Sequence, residues 1–157
     1  MTQAETLAKY FALTYQIIQW QLDGLSQEGC LIQPPFRGNC FNWVLGHLIY
    51  ERDLVLTCLG ETPIWSEAET NRYKTESEPI VRAEEALPLD QLVSDLARSQ
   101  NLILAALRRA NPEFLAAPFE KEKTRGEQIG SLHWHETYHV GQLELLRQLA
   151  GKNDKVI

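Results

Sequence analysis

The stretch TRGEQIGSLHWHETYHVGQLELLRQLAG, residues 124–151, decides the fold class. It opens with Thr124-x-x-Glu127, a capping box in which each side chain satisfies the other residue's free backbone N–H. It closes at Gly151, the residue type that tolerates the left-handed turn after a helix. Between them Ile129, Leu132, Glu136, His139, Leu143, Leu146 and Ala150 recur three and four residues apart, so they share one side of a helix. The stripe is hydrocarbon except in the middle. There Glu136 and His139 interrupt it, and His135 lies beside them on the same side.

Working outward, three further segments carry helical periodicity. The first opens with a second capping box, Thr2-x-x-Glu5, and places Leu7, Phe11, Ile17, Ile18, Leu22 and Leu25 on one stripe. A loop from Ser26 to about Cys40 ends it, since Pro34-Pro35 cannot continue a helix. The second begins near Asn42, read as its N-cap, and stops before Gly60. Its inward seam reads Val44, His47/Leu48, Glu51, Leu54/Val55, Cys58, so two polar residues again sit where hydrocarbon is expected. Residues 61–87 are polar and acidic and read as a long connection with a short helical piece. A connection of that length in a compact domain is often functional, as a lid over a site. The third helix runs from Pro88, taken as a first-turn residue, to Ala110, with Leu89, Leu92, Val93, Leu96, Ile103 and Leu107 as its stripe. Asn111-Pro112 stops it. No repeat, low-complexity tract or strand-like alternation interrupts this pattern. The class is all-α.

Composition narrows the function. A chain of 157 residues fits one domain over 1–157 and needs no metal merely to bury a core. A net charge of −6 argues against nucleic acid, whose affinity comes mainly from neutralised phosphates. The densest basic patch, Lys121-Glu122-Lys123-Thr124-Arg125, is broken by acid and reads as a solvated turn. No apolar run approaches the length of a bilayer span, and residues 1–5 do not read as a secretory signal, so a soluble protein is expected. Cys30, Cys40 and Cys58 are odd in number and lack C-x-x-C spacing. They favour a reducing cytoplasm, while leaving a Cys30–Cys40 bridge open.

The histidines carry the chemistry. His135 and His139 are four residues apart, so their rings leave one helical face a turn apart and can converge on one ion. The string His135-Glu136-Thr137-Tyr138-His139 matches H-E-x-x-H, although short strings recur by chance. Position strengthens it, because His47 lies at comparable depth in the second helix. Each of these histidines alone has an ordinary reading as a satisfied core or surface residue. Three together on core-facing seams do not, since buried imidazoles need partners and one metal supplies all three. His133 points away from His135 and reads as a surface or supporting residue. Glu51 follows His47 on the same face, as a further ligand, an imidazole partner or a general base. Its bland alternative is a seam carboxylate reaching water. Gln142 points toward the site and is a candidate to position substrate. Glu136 reads as a partner for Arg or Lys on a neighbouring helix.

On these residues the chain resembles the DinB/YfiT-like superfamily of metal-dependent bundle proteins. His135-Glu136-Thr137-Tyr138-His139-Val140-Gly141-Gln142-Leu143 is similar to that family's H-x-x-x-H-x-G-Q-[LI] signature. Asn42-Trp43-Val44-Leu45-Gly46-His47-Leu48 is similar to its second-helix motif. The resemblance implies an up-down four-helix bundle with a long connection between helices 2 and 3, often a homodimer. It implies His47, His135 and His139 as ligands of one divalent metal, usually zinc or nickel. Some relatives are S-transferases or isomerases that activate a low-molecular-weight thiol such as bacillithiol or mycothiol. No basic clamp for a thiol's carboxylate stands out in the sequence.

The leading expectation is therefore a metal-dependent, thiol-dependent S-transferase or isomerase acting on a small electrophile, with Glu51 and Gln142 as catalytic candidates. The alternatives are a metal-dependent hydrolase with Glu51 as base, and a non-catalytic bundle with a metal staple or ligand pocket. Trp43, Trp65 and Trp134 are candidate pocket walls. Small-molecule substrate, a homodimeric partner, and neither nucleic acid nor membrane complete the expectation.

Overall fold

The computed structural model describes every residue except Lys121, Lys155 and Ile157. Four long helices dominate it: α1 (Gln3–Leu22), α3 (Phe41–Cys58), α5 (Leu89–Arg109) and α7 (Arg125–Leu149). Short helices α2 (Gln27–Cys30), α4 (Glu67–Tyr73) and α6 (Pro112–Ala116) lie in the connections, with a 3-10 turn at Ala83–Glu85. The capping boxes at Thr2 and Thr124 both form. Gly60 and Gly151 take the left-handed conformation just past α3 and α7.

Three local readings change. Cys40, not Asn42, is the N-cap of α3. Asn42 lies inside the first turn, where its amide donates to the Leu87 carbonyl and accepts from the Tyr73 hydroxyl, each at 2.8–2.9 Å. A two-stranded hairpin, β1 (Pro118–Glu120) and β2 (Lys123–Thr124), precedes α7; strands this short leave no alternation to read. Arg125 is not part of a solvated turn. It lies over the rings of Phe114 and Phe119 and donates to the Cys58 carbonyl. Lys121 of the same patch lies outside the described residues.

Both α1 and α3 pack against α5 and α7, so α1 lies diagonally across from α3 and α5 from α7, while the consecutive helices α3 and α5 are neighbours. Their directions follow from the contacts. Gln21 of α1 donates to the Val140 carbonyl and Arg147 to the Gln21 carbonyl, while Gln3 packs beside Gly126, so α1 and α7 run parallel. His47 meets His139 and Cys58 meets Arg125, so α3 and α7 run antiparallel. Leu45 and Leu48 cluster with Leu92 and Leu96, and Val55 and Leu56 with Ile103 and Leu107, so α3 and α5 are parallel. The order is up-down-down-up, a correction to the expected simple up-down order. It explains the long connection. The 18 residues of α3 rise about 27 Å, and a parallel successor obliges the chain to travel back that length.

The core consists of two apolar clusters with a polar layer between them. One contains Ile18, Leu48, Leu96 and Val140, the other Phe11, Val55, Ile103 and Leu132. Thr14, Arg52, Ser99 with Gln100, and Glu136 occupy the intervening turn of each long helix, and all are buried. Arg52 grips Glu136 with two hydrogen bonds of 2.8 Å, from Nε and Nη2. Its Nη1 donates to Gln100 at 3.0 Å and to Ser99 at 3.5 Å, and the Thr14 hydroxyl donates to Glu136. The expected cationic partner of Glu136 is thus Arg52. Val93, placed on the α5 stripe, is 40% exposed, because α5 turns that edge outward. The cysteines are buried, free thiols, without a Cys30–Cys40 bridge.

The Arg52–Glu136 pair generates a stability prediction. Arg52→Ala leaves a buried carboxylate without its cation and is expected to cost about 3–5 kcal/mol. Chemical denaturation of the variant checks it; a loss under about 1 kcal/mol, the range of an exposed ion pair, contradicts it.

Candidate functional site

His47 comes from the middle of α3, and His135 and His139 from adjacent turns of α7. The antiparallel packing of the two helices brings their rings together. His135 Nε2 lies 3.2 Å from His47 Nε2 and 3.0 Å from His139 Nε2. Ligand atoms of the three residues all fall within 4.8 Å of one another. Ring centroids are 4.5–5.4 Å apart and each pair is near perpendicular, at 69–73°.

Second bonds fix which nitrogen faces inward. His47 Nδ1 donates to the Tyr73 carbonyl at 2.8 Å, and His139 Nδ1 donates to Gln142 Oε1 at 2.7 Å. An oxygen acceptor at Nδ1 places the ring proton there and leaves Nε2 as a bare lone pair. Two lone pairs therefore face His135 Nε2. A single proton on that nitrogen can serve only one of them well, so the cluster is one electrophile short.

Electrostatics keep the rings neutral. Burial pushes His47 down to about 4; the Tyr73 carbonyl opposes the shift, and His139 and His135 add to it. Burial lowers His135 and His139 as well. Neutral imidazole is the ligating form. Trp43 stacks on His47 with centroids 4.9 Å apart and planes 14° apart, which fixes the ring.

Glu51 is buried beside the cluster, with Oε1 3.7 Å from His47 Nε2 and 3.9 Å from His135 Nε2. Burial, and then the charge of Glu136, raise its carboxyl to about 7. A carboxyl poised there can hold or release a proton at neutral pH. Gln142 lines the site as expected, and its Oε1 is committed to His139. His133 stands apart. It packs against the rings of Tyr10 and Phe11 on the α1 side of α7.

A cavity of about 360 Å³ opens onto the three histidines. Trp43, Val44, Tyr138, Gln142, Leu145 and Leu146 supply its helical walls; Pro34, Phe36–Asn39 and Thr75–Glu76 supply the rest. Of the three candidate tryptophans only Trp43 lines it. Trp65 is buried and donates to Asp95 at 2.8 Å, and Trp134 is 70% exposed. Trp134 shares α7 with two of the histidines but lies on its exposed side, and Trp65 lies in the irregular connection between α3 and α4.

Sequence reasoning missed Tyr73. Its ring packs where a Cβ on Gly46 would stand, its hydroxyl ties Asn42 to Leu87, and its carbonyl holds His47. The one available signal was Gly46 itself, a glycine in a helix interior, where it weakens the helix unless something approaches closely.

No curated protein matches the chain. Its fold is similar to that in a crystal structure of a conserved protein from Enterococcus faecalis. The two share 18% identity with a TM-score of 0.76, over 96% of this chain and 98% of that one. The sequence profile of the DinB superfamily matches residues 10–143, which include the three histidines, Glu51 and Gln142. The chain belongs to the DinB superfamily.

Proposed function

We propose that the chain is a metal-dependent enzyme in which His47, His135 and His139 hold one divalent ion, zinc or nickel, and the adjoining cavity receives a small electrophile. The observation that carries this reading is the convergence of the three Nε2 atoms while the Nδ1 atoms of His47 and His139 are engaged elsewhere. Tetrahedral zinc–imidazole bonds separate ligand nitrogens by about 3.3 Å. The 3.0 and 3.2 Å spacings around His135 fit that requirement. The all-nitrogen donor set suits zinc and nickel better than the oxygen-seeking magnesium or calcium.

When bound, such an ion supplies Lewis acidity that makes a thiol or a water more acidic. The rest falls to the chain. Tyr73 and Gln142 orient the imidazoles, as carbonyl and carboxylate partners of metal-binding histidines do. Trp43, Phe36 and Tyr138 give the approach an apolar lining. Glu51 takes up the released proton at Oε1. This supports a thiol-dependent S-transferase or isomerase, as the resemblance implies. Glu51 is also what favours the second reading, a hydrolase in which the same carboxyl serves as base toward water. A purely structural metal fits less well, since a closed site does not adjoin a cavity.

The four long helices and the crossover between the second and third support the bundle architecture of the resemblance. A homodimer belongs to the same reading. The outer faces are not uniformly polar: α1 exposes Tyr10, Leu13 and Trp20, and α7 exposes Trp134, Tyr138 and Leu145. Exposed apolar side chains sharing a helix face are candidates for such an interface. Among the described residues no helix is long and apolar enough to cross a membrane.

Elemental analysis of untagged protein is expected to find one divalent ion per chain, and His139→Ala to weaken zinc binding at least about 100-fold. Protein that stays metal-free after reconstitution overturns the reading. Glu51→Gln is expected to keep the metal and lose about 100-fold or more in turnover across a panel of thiols and electrophiles. Unchanged turnover removes Glu51 from the chemistry. Gly46→Ala displaces Tyr73, and its zinc affinity, measured by competitive chelator titration, should fall about 10–100-fold. An affinity equal to wild type would show that the Tyr73 carbonyl does not orient His47.

A further inference from the structure

The loop Pro34-Pro35-Phe36-Arg37-Gly38-Asn39 entered the sequence reading only as a helix terminator. In the structure it forms one wall of the cavity over the histidines, contributing Pro34 and Phe36–Asn39. It is built to be stiff. Two prolines fix successive backbone angles, and Gly38 packs so closely on the Pro34 ring that a Cβ there would lie 3.3 Å from Cγ. Phe36 and Arg37, both exposed, are therefore presented together at the cavity rim.

Arg37 is the one cation among the residues that line this cavity. Among the described residues it makes no ion pair and no hydrogen bond. Arg52, Arg72, Arg82, Arg109 and Arg147 all hold carboxylates. Among the described residues Arg98 and Arg108 hold none either, but they do not line the cavity, and it is that position that sets Arg37 apart. Glu76 lines the same cavity without pairing to Arg37. The remaining wall is mainly apolar: Pro34, Phe36, Trp43, Tyr138 and Leu145. A free guanidinium on a rigid loop beside an apolar slot describes a recognition site for an amphipathic anion. Its planar fork matches a carboxylate through two parallel bonds. A carboxylate's single charge is matched by one guanidinium, whereas a dianionic phosphate would be left half neutralised beside Glu76. In a chain of net charge −6, a local cation also offsets the repulsion that an anionic ligand would otherwise meet.

We propose that Arg37 is a substrate-binding residue that selects small organic carboxylates, holding the carboxylate at the rim with the apolar body along Phe36, Trp43 and Tyr138. The far end of such a molecule is thereby directed at the histidine cluster. The cavity's volume sits at the small end of the range for organic ligands, which limits the substrate to a compact molecule. The inference deepens the enzymatic reading above and rests on it for the identity of the cavity as the substrate site. The binding of a carboxylate, however, is measurable without metal.

The test compares 3-phenylpropionate with its neutral isostere 3-phenylpropanamide, titrated by calorimetry or ligand-observed NMR into metal-free protein, wild type and Arg37→Gln. Wild type is expected to prefer the carboxylate by about tenfold or more, the scale of one charge-assisted bidentate contact. Arg37→Gln should abolish that preference while leaving the amide's affinity unchanged, and Arg37→Lys should restore only part of it. Equal affinities in wild type, a preference that survives Arg37→Gln, or no binding of either compound at millimolar concentration overturns the proposal. Zinc titration of the same variants separates the two ideas. Arg37→Gln should bind zinc as wild type does, so a failure of the metal reading appears in the zinc arm alone. A tenfold carboxylate preference without zinc binding would leave Arg37 as the recognition residue of a non-metal site.

Discussion

The structure depends on a charge pair placed where hydrocarbon would normally be. Arg52 and Glu136 lie fully within the core, joined by two hydrogen bonds, and every long helix contributes a polar side chain to their layer. Removing two charges from water is expensive, and well-packed apolar residues often do as well or better for stability alone. What the pair supplies is register. Leucine ridges on α3 and α7 tolerate a slip of one turn, about 5.4 Å, with modest rearrangement. A bidentate guanidinium–carboxylate pair does not, because a slip leaves two buried charges unpartnered. His135 is the residue next to Glu136, and His47 lies five residues before Arg52. The layer that pins the helices therefore also sets the distance between the imidazoles.

The crossover between α3 and α5 is the second consequence of the helix order. A chain obliged to travel the length of α3 acquires a segment that can be put to use. It is anchored at both ends and in the middle. Asp53 accepts from the backbone N–H groups of Ile64 and Trp65, Asn42 accepts from Tyr73 and donates to Leu87, and Arg72 donates to the Glu78 and Glu85 carbonyls. Between these anchors the chain delivers one carbonyl to His47 and two residues, Thr75 and Glu76, to the cavity wall. Glu76 adopts a positive φ of 66°, a conformation in which non-glycine residues are uncommon. The irregular backbone thus occurs where the wall turns.

What was legible in the sequence follows from periodicity. Capping boxes, terminal glycines and three-four stripes located the long helices to within a residue or two, because those signals are local, except that α1 ends at Leu22 and not at the expected Leu25. The polar interruptions at His47, Glu51, Glu136 and His139 stood out for the same reason, and the structure gathers His47 and His139 with His135 into one cluster. The helix order was not legible: a stripe shows that a face is buried, not against which neighbour, and the directions emerge only from pairs such as Gln21 with Val140. Nor were Tyr73 and Arg37. Tyr73 closes the short helix α4 inside a long connection and Arg37 lies in the proline loop, so neither belongs to a long stripe whose period relates a side chain's direction to its position. Asn42 misled for a physical reason, since an amide good at capping a helix is equally good at bridging to a second chain segment.

The site has two faces, and their chemistry differs. The cavity side is formed by Trp43, Tyr138, Leu145 and the proline loop, and it meets solvent. Glu51 does not line that cavity. It lies behind the histidines, near the polar layer, where burial and the charge of Glu136 hold its carboxyl near neutrality. Glu51 and the cavity thus flank the imidazoles from different directions, and burial keeps the carboxyl out of bulk water. Placing it toward the Arg52–Glu136 layer makes the interaction that fixes the fold part of what tunes the site.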